Sequence, residues 1–142
     1  FLNEYTRIQD IGLLQEMLNV LKNGQADLVG CQTSKGCNGF HFENGILNCW
    51  RGDNMNPKYP SGTCLIMKSE LFRKMKGFDE SFKNGCEDID LFLRIEKDGG
   101  KIKVIDKVIE HEEAQSLGRF DHIKENIEFF NKKWSNKYKI NL

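Results

Sequence analysis

The sequence predicts an α/β fold with a mixed sheet flanked by helices. Three observations carry that expectation. Residues 10–31 read as a helix followed by a short buried strand, the αβ unit of an α/β sheet. Residues 101–105 alternate as a period-two strand, with Ile102 and Val104 on one face. Between Gly77 and Gly100, an acidic turn leads into an apolar stripe with helical spacing.

The opening FLNEYT has a short apolar start before polar residues and fits the end of a buried strand. Asp10 is placed to cap the first helix. Leu14, Met17, Leu18 and Leu21 recur at 0, +3, +4 and +7 as its core face, and Gly24 ends it. Residues 26–31 (ADLVGC) continue the chain as a strand. Residues 32–45 read as a Gly- and Asn-rich loop holding His41, and residues 46–50 as a strand. Residues 51–61 form a turn-rich loop with both prolines, Pro57 and Pro60. Its RGD triplet is too short to carry an adhesion reading.

Residues 62–67 (GTCLIM) are a compact apolar strand. Ser69 caps a short helix through Met75, with Glu70 suited to the helix dipole and Leu71, Phe72 and Met75 as the apolar face. The stretch from Gly77 to Gly100 holds the next helix, with Asn84 or Cys86 near its N-cap. Leu91, Phe92 and Ile95 come after Asp88 at +3, +4 and +7, Asp90 and Arg94 are spaced to pair, and Gly99–Gly100 stand where a left-handed C′ residue belongs. Residues 106–113 continue the last strand as a second extended piece. From Phe120 onward, Ile123, Ile127, Phe130 and Trp134 form one helical stripe that packs on the core.

Glu87, Asp88 and Asp90 put three acids in four residues at a helix start. Acids there complement the dipole, yet three exceed what one helix start needs. The string GFDESFKNGCEDIDLFLRIEKDGGKI resembles the acceptor-side segment of family-two glycosyltransferases of the GT-A fold. That family reads G-G-F-D-E-x-F, a spacer, E-D-x-D-L, then R and a G before a strand. Lys76 replaces the first glycine here.

The resemblance implies a partial GT-A fold over residues 1–119, the C-terminal part of the catalytic domain, with residues 120–142 as a helix packed on it. The front part, which binds base and ribose, would then be lacking and the isolated chain catalytically incomplete. The implied activity is transfer of a sugar from a nucleotide-sugar donor to a carbohydrate or glycolipid acceptor, by inversion in that family's manner. Asp88 is the implied general base, because a carboxylate within reach of the acceptor hydroxyl can take its proton. Glu87, Asp90, Gly62 and Thr63 are implied on the acceptor side, and Ser116 and Arg119 at the leaving diphosphate. His111 and Glu4 are the implied ligands of Mn²⁺ or Mg²⁺, with Tyr5 standing where the family has a metal-binding Asp. The alternative is a non-catalytic sugar-binding or assembly module of the same fold.

Composition sets the remaining bounds. The 142 residues fit one domain, and 39% hydrophobic with 30% charged residues describe a globular protein. Lys+Arg and Asp+Glu are 21 each, so no nucleic-acid partner is expected. No apolar run approaches a membrane span. Five cysteines without a CxxC are expected as reduced thiols in a cytoplasmic protein, at most at the inner face of the membrane. A sheet lacking its first strands exposes an edge, so a homo-oligomer is expected.

Overall fold

The computed structural model describes residues 1–3, 6–50, 57–111, 118, 120–135 and 137–141. The elements are β1 (Thr6–Arg7), α1 (Gly12–Lys22), β2 (Leu28–Thr33), β3 (Gly39–Glu43), β4 (Ile46–Trp50), β5 (Tyr59–Pro60), β6 (Leu65–Met67), α2 (Ser69–Lys74), α3 (Glu87–Lys97), β7 (Ile102–His111) and α4 (Ile123–Lys133). They form a mixed α/β structure, compatible with a partial glycosyltransferase fold.

A four-stranded sheet runs in the order β1-β7-β2-β6, and a three-stranded sheet in the order β4-β3-β5. β2 is parallel to β7 and antiparallel to β6. Every residue of β2 is buried, as expected of a central strand covered on both faces. On one side α1 contributes Leu13, Met17, Val20 and Leu21 to a cluster with Val29, Cys31, Cys64, Ile105 and Ile109. A second cluster joins α3 and α4 through Leu28, Tyr59, Leu65, Phe92, Ile95 and Phe130, with Phe40, Phe42 and Leu47 of the small sheet packed against it.

β7 is one continuous strand rather than two pieces. Its register against β2 shifts between Cys31↔Ile105 and Gln32↔Val108, so Asp106 and Lys107 bulge out of the ladder. Such a bulge bends a strand and re-aims the residues beyond it. Among those residues is His111, which also pairs with Thr6 of β1.

Several expectations are corrected. The core face of α1 is Leu13, Met17, Val20 and Leu21, while Leu14 and Leu18 are 42% and 38% exposed. Ile11 and not Asp10 holds the cap position of α1, though Asp10 Oδ1 accepts from Gly12 N–H at 2.7 Å. Ser69 is the first residue of α2 and not its cap; Lys68 holds that position without a side-chain hydrogen bond. Phe1 and Leu2 are 52% and 53% exposed, so the opening segment lies on the surface and not inside a buried strand; Leu2 bridges Cys64. The loop expected at 32–45 contains β3, joined to β4 by Asn44–Gly45. Both turn residues have positive φ, 51° and 80°, the backbone that a two-residue hairpin needs.

That hairpin also corrects the thiols. Cys37 and Cys49 are brought to a Cα–Cα distance of 5.8 Å and joined by a disulfide, leaving Cys31, Cys64 and Cys86 free. No helix among the described residues is long and apolar enough to cross a membrane.

Candidate functional site

The loop before α3 builds the site. Asn84, Gly85 and Cys86 all have positive φ, at 55°, 151° and 70°. Consecutive residues in sparsely populated backbone regions persist only where their surroundings hold them. Here the buried Asn126 of α4 clamps both backbone groups of Lys83. Its Oδ1 accepts from Lys83 N–H at 2.9 Å, and its Nδ2 donates to the Lys83 carbonyl at 2.8 Å. Glu87 accepts from Gly85 N–H at 2.5 Å. The tight turn thus delivers Glu87 and Asp88 on the first turn of α3.

The Asp88 carboxylate is fixed by two backbone amides. Oδ1 accepts from Ile89 N–H at 2.7 Å and Oδ2 from Gly62 N–H at 3.0 Å. Gly62 must lack a side chain for this approach, since a Cβ there would stand 2.8 Å from Asp88 Oδ2 and 3.0 Å from Asp88 Cβ. Burial, then the neighbouring charge of Glu87, pushes Asp88 up to about 6, against the opposing pull of its backbone hydrogen bonds. Burial, then Asp88 and Glu87, pushes the Cys86 thiol beside it up to about 12.

Two cavities meet at this carboxylate. One, of about 300 Å³, is lined by Ser61, Gly62, Thr63, Cys86, Asp88 and His111, with Phe40, Ile123 and Ile127 on its apolar side. The other, of about 530 Å³, is lined by Phe78, Asp79, Glu80 and Phe82. Asn3, Gly62, Asn84, Glu87 and Asp88 belong to both walls. Small-molecule sites are of this size, about 300–1,000 Å³, with few polar groups in a largely apolar lining.

Asp90 does not line either cavity. Its side chain is 0% exposed, and its oxygens accept from Arg94 Nε at 2.8 Å, Lys133 Nζ at 2.7 Å and Trp134 Nε1 at 3.0 Å. Asp90, expected on the acceptor side, thus has both oxygens engaged by these donors, away from the cavities. Arg94 extends the node by donating to the carbonyls of Met75 and Gly77, tying α3 to the end of α2. Lys133 also bonds Asp79 at 2.6 Å and holds that carboxyl down at about 2.

The structure thus brings Gly62, Thr63, Glu87, Asp88 and His111 around one cavity. His111 is buried, and its backbone N–H donates to Ser34 Oγ at 3.4 Å. Among the described residues, no three His, Cys, Asp or Glu side chains stand together as a metal-ligand set. Of the two expected ligands, His111 supplies one imidazole at the cavity, and Glu4 lies outside the described residues. So do Tyr5, Ser116, Arg119 and residues 51–56. Sequence reasoning missed Asn126, Lys133 and Trp134 as partners of the site. A signal was present for Asn126, a polar residue directly beside Ile127 on the apolar stripe of a helix.

The family model of the N-terminal domain of galactosyltransferase matches residues 47–126, which is 80 of the 142 residues. The match spans Gly62, Thr63, Glu87, Asp88 and His111. It bears out a glycosyltransferase domain at large. No curated protein matches the chain.

Proposed function

The chain belongs to the glycosyltransferase family described by that model, and from this premise we propose that it transfers a sugar from a nucleotide-sugar to an acceptor hydroxyl with inversion, Asp88 acting as general base. One observation carries the reading. A carboxylate raised to about 6 stands where two cavities meet, held by two backbone amides that fix its direction. A base is most effective when its pKa lies near the working pH, so that it is mostly ionised yet still basic. The two cavities then take the acceptor and the transferred sugar, and Asp88 removes the acceptor proton as the sugar carbon is attacked from the face opposite the leaving nucleotide. Glu87, Gly62 and Thr63 shape the acceptor side.

His111 is assigned as one donor to Mn²⁺ or Mg²⁺, with Glu4 as the other expected ligand; such an ion, when bound, neutralises the leaving diphosphate. Ser116 and Arg119 are assigned to that diphosphate on resemblance alone. The resemblance to family two and to the acceptor-side part of a GT-A domain belongs to the same proposal. So does the division at residue 119. Self-association stays with it too, as an expectation, and so does a cytoplasmic setting, although its premise of reduced thiols is corrected by the Cys37–Cys49 disulfide.

The test is a panel of nucleotide-sugars, galactose-bearing donors first, assayed for nucleotide release and for the anomer of the product. In the complete enzyme, the expected result is acceptor-dependent release with an inverted product, lost in Asp88→Asn with the fold intact. Saccharide binding without turnover on any donor would overturn the enzyme reading in favour of a non-catalytic module. Full turnover by Asp88→Asn would overturn the base.

A further inference from the structure

The β2–β6 ladder pairs Leu28 with Met67, Val29 with Ile66 and Gly30 with Leu65. One step further, the same antiparallel register sets Cys31 opposite Cys64. Both side chains are buried, 1% and 3% exposed, and both pack in the α1-side cluster, so they share a face of the sheet. Opposed residues of an antiparallel pair have Cα atoms about 4.5–5.5 Å apart, inside the roughly 4.4–6.8 Å that a disulfide spans. The two thiols are in hydrogen-bonding contact.

We propose that Cys31 and Cys64 are a second disulfide site, a removable cross-link between β2 and the segment that carries Gly62 and Thr63 to Asp88. Cys64 lies two residues from Gly62, whose N–H holds the Asp88 carboxylate. The link ties that segment to the central strand of the sheet, on the face opposite the α3 cluster.

The chemistry is thiol–disulfide exchange with a small disulfide such as oxidised glutathione. Cys31 S–H donates to Cys64 and lowers its pKa, while that interaction, together with burial, raises Cys31. The Cys64 thiolate therefore attacks first and expels one glutathione thiolate. Cys31 then loses its proton and attacks the Cys64 sulfur of the mixed disulfide, expelling the second glutathione. Two protein thiols and one glutathione disulfide become one protein disulfide and two glutathione thiols. Access to Cys64 requires the edge segment of residues 1–3 to open; Leu2 bridges Cys64, three backbone hydrogen bonds tie Phe1 and Asn3 to Leu65 and Thr63, and Phe1 and Leu2 are themselves half-exposed.

The experiment is incubation of the folded protein with oxidised glutathione, acid quenching and non-reducing peptide mapping. A linked Cys31–Cys64 peptide pair is expected, absent in Cys31→Ala and removed by dithiothreitol. In a Cys37→Ala/Cys49→Ala background, closing this loop should raise Tm by roughly 10 °C. If that background does not fold, the map of the unaltered protein decides alone. Cys31 and Cys64 recovered separately alkylated, or Cys64 linked to Cys86, would overturn the proposal.

Discussion

Asp88→Asn should stabilise the fold at neutral pH while ending transfer. Asp88 titrates near 6 in the folded chain, raised from 3.8. Between about pH 4 and pH 6 the native state therefore keeps a proton that the unfolded state has released, so stability falls as pH rises through that window. Above it the folded state bears the whole cost of the buried charge. At about 1.4 kcal/mol per tenfold shift in acidity, that cost is roughly 3 kcal/mol. Asn removes the charge and still offers one oxygen to the amides of Gly62 and Ile89, but must place an NH₂ where the other oxygen accepted. The expected gain is therefore roughly 1–3 kcal/mol at pH 8, shrinking towards zero at pH 3.5, where the native Asp88 is protonated too. Urea denaturation of both proteins at the two pH values measures it. An Asn variant that is less stable than the native protein at pH 8, by more than at pH 3.5, would refute the reasoning. The ionised carboxylate would then be a structural cap favoured by its amides, and not a strained base.

The same geometry yields further expected outcomes. Gly62→Ala puts a Cβ within 2.8 Å of Asp88 Oδ2, so kcat should fall at least about tenfold with an unchanged circular dichroism spectrum; an unchanged kcat would detach Gly62 from the site. Asp90→Ala strips the shared partner of Arg94, Lys133 and Trp134 and should cost roughly 3–5 kcal/mol in urea denaturation. A cost below about 1 kcal/mol would show the node to be incidental. His111→Ala should weaken Mn²⁺ binding in the presence of a nucleoside diphosphate at least about tenfold by calorimetry; unaltered affinity would remove His111 from the ligand set.

The sequence makes α3 legible because its signals are local. Asp90 and Arg94 are four residues apart and pair at 2.8 Å, and Gly99 closes the helix at φ 85°. Helix α1 is equally clear as a helix, but its face is not. Leu14–Met17–Leu18–Leu21 and Leu13–Met17–Val20–Leu21 both have helical spacing, and only the sheet against which α1 packs decides between them. The β3–β4 hairpin is signalled by Asn44–Gly45, a pair suited to positive φ, and obscured by the glycines around it. Without the hairpin, the Cys37–Cys49 link has no visible cause. The role of Asp90 is hidden for a different reason. Its partners Lys133 and Trp134 come from the far end of the chain, at α4 and its C-cap, and no local pattern foretells that contact. Glu87, Asp88 and Gly62 stand out as motif residues, but their shared position between two cavities needs the strained turn at 84–86 and the clamp from Asn126.

The most direct test of Asp88 as the base is the pH dependence of kcat/KM for sugar transfer. The account predicts an acidic limb with a midpoint near pH 6, absent from the residual rate of Asp88→Asn. A limb that persists unchanged in that variant, or a midpoint near that of an ordinary exposed carboxylate, about 4, in the native enzyme, would contradict it.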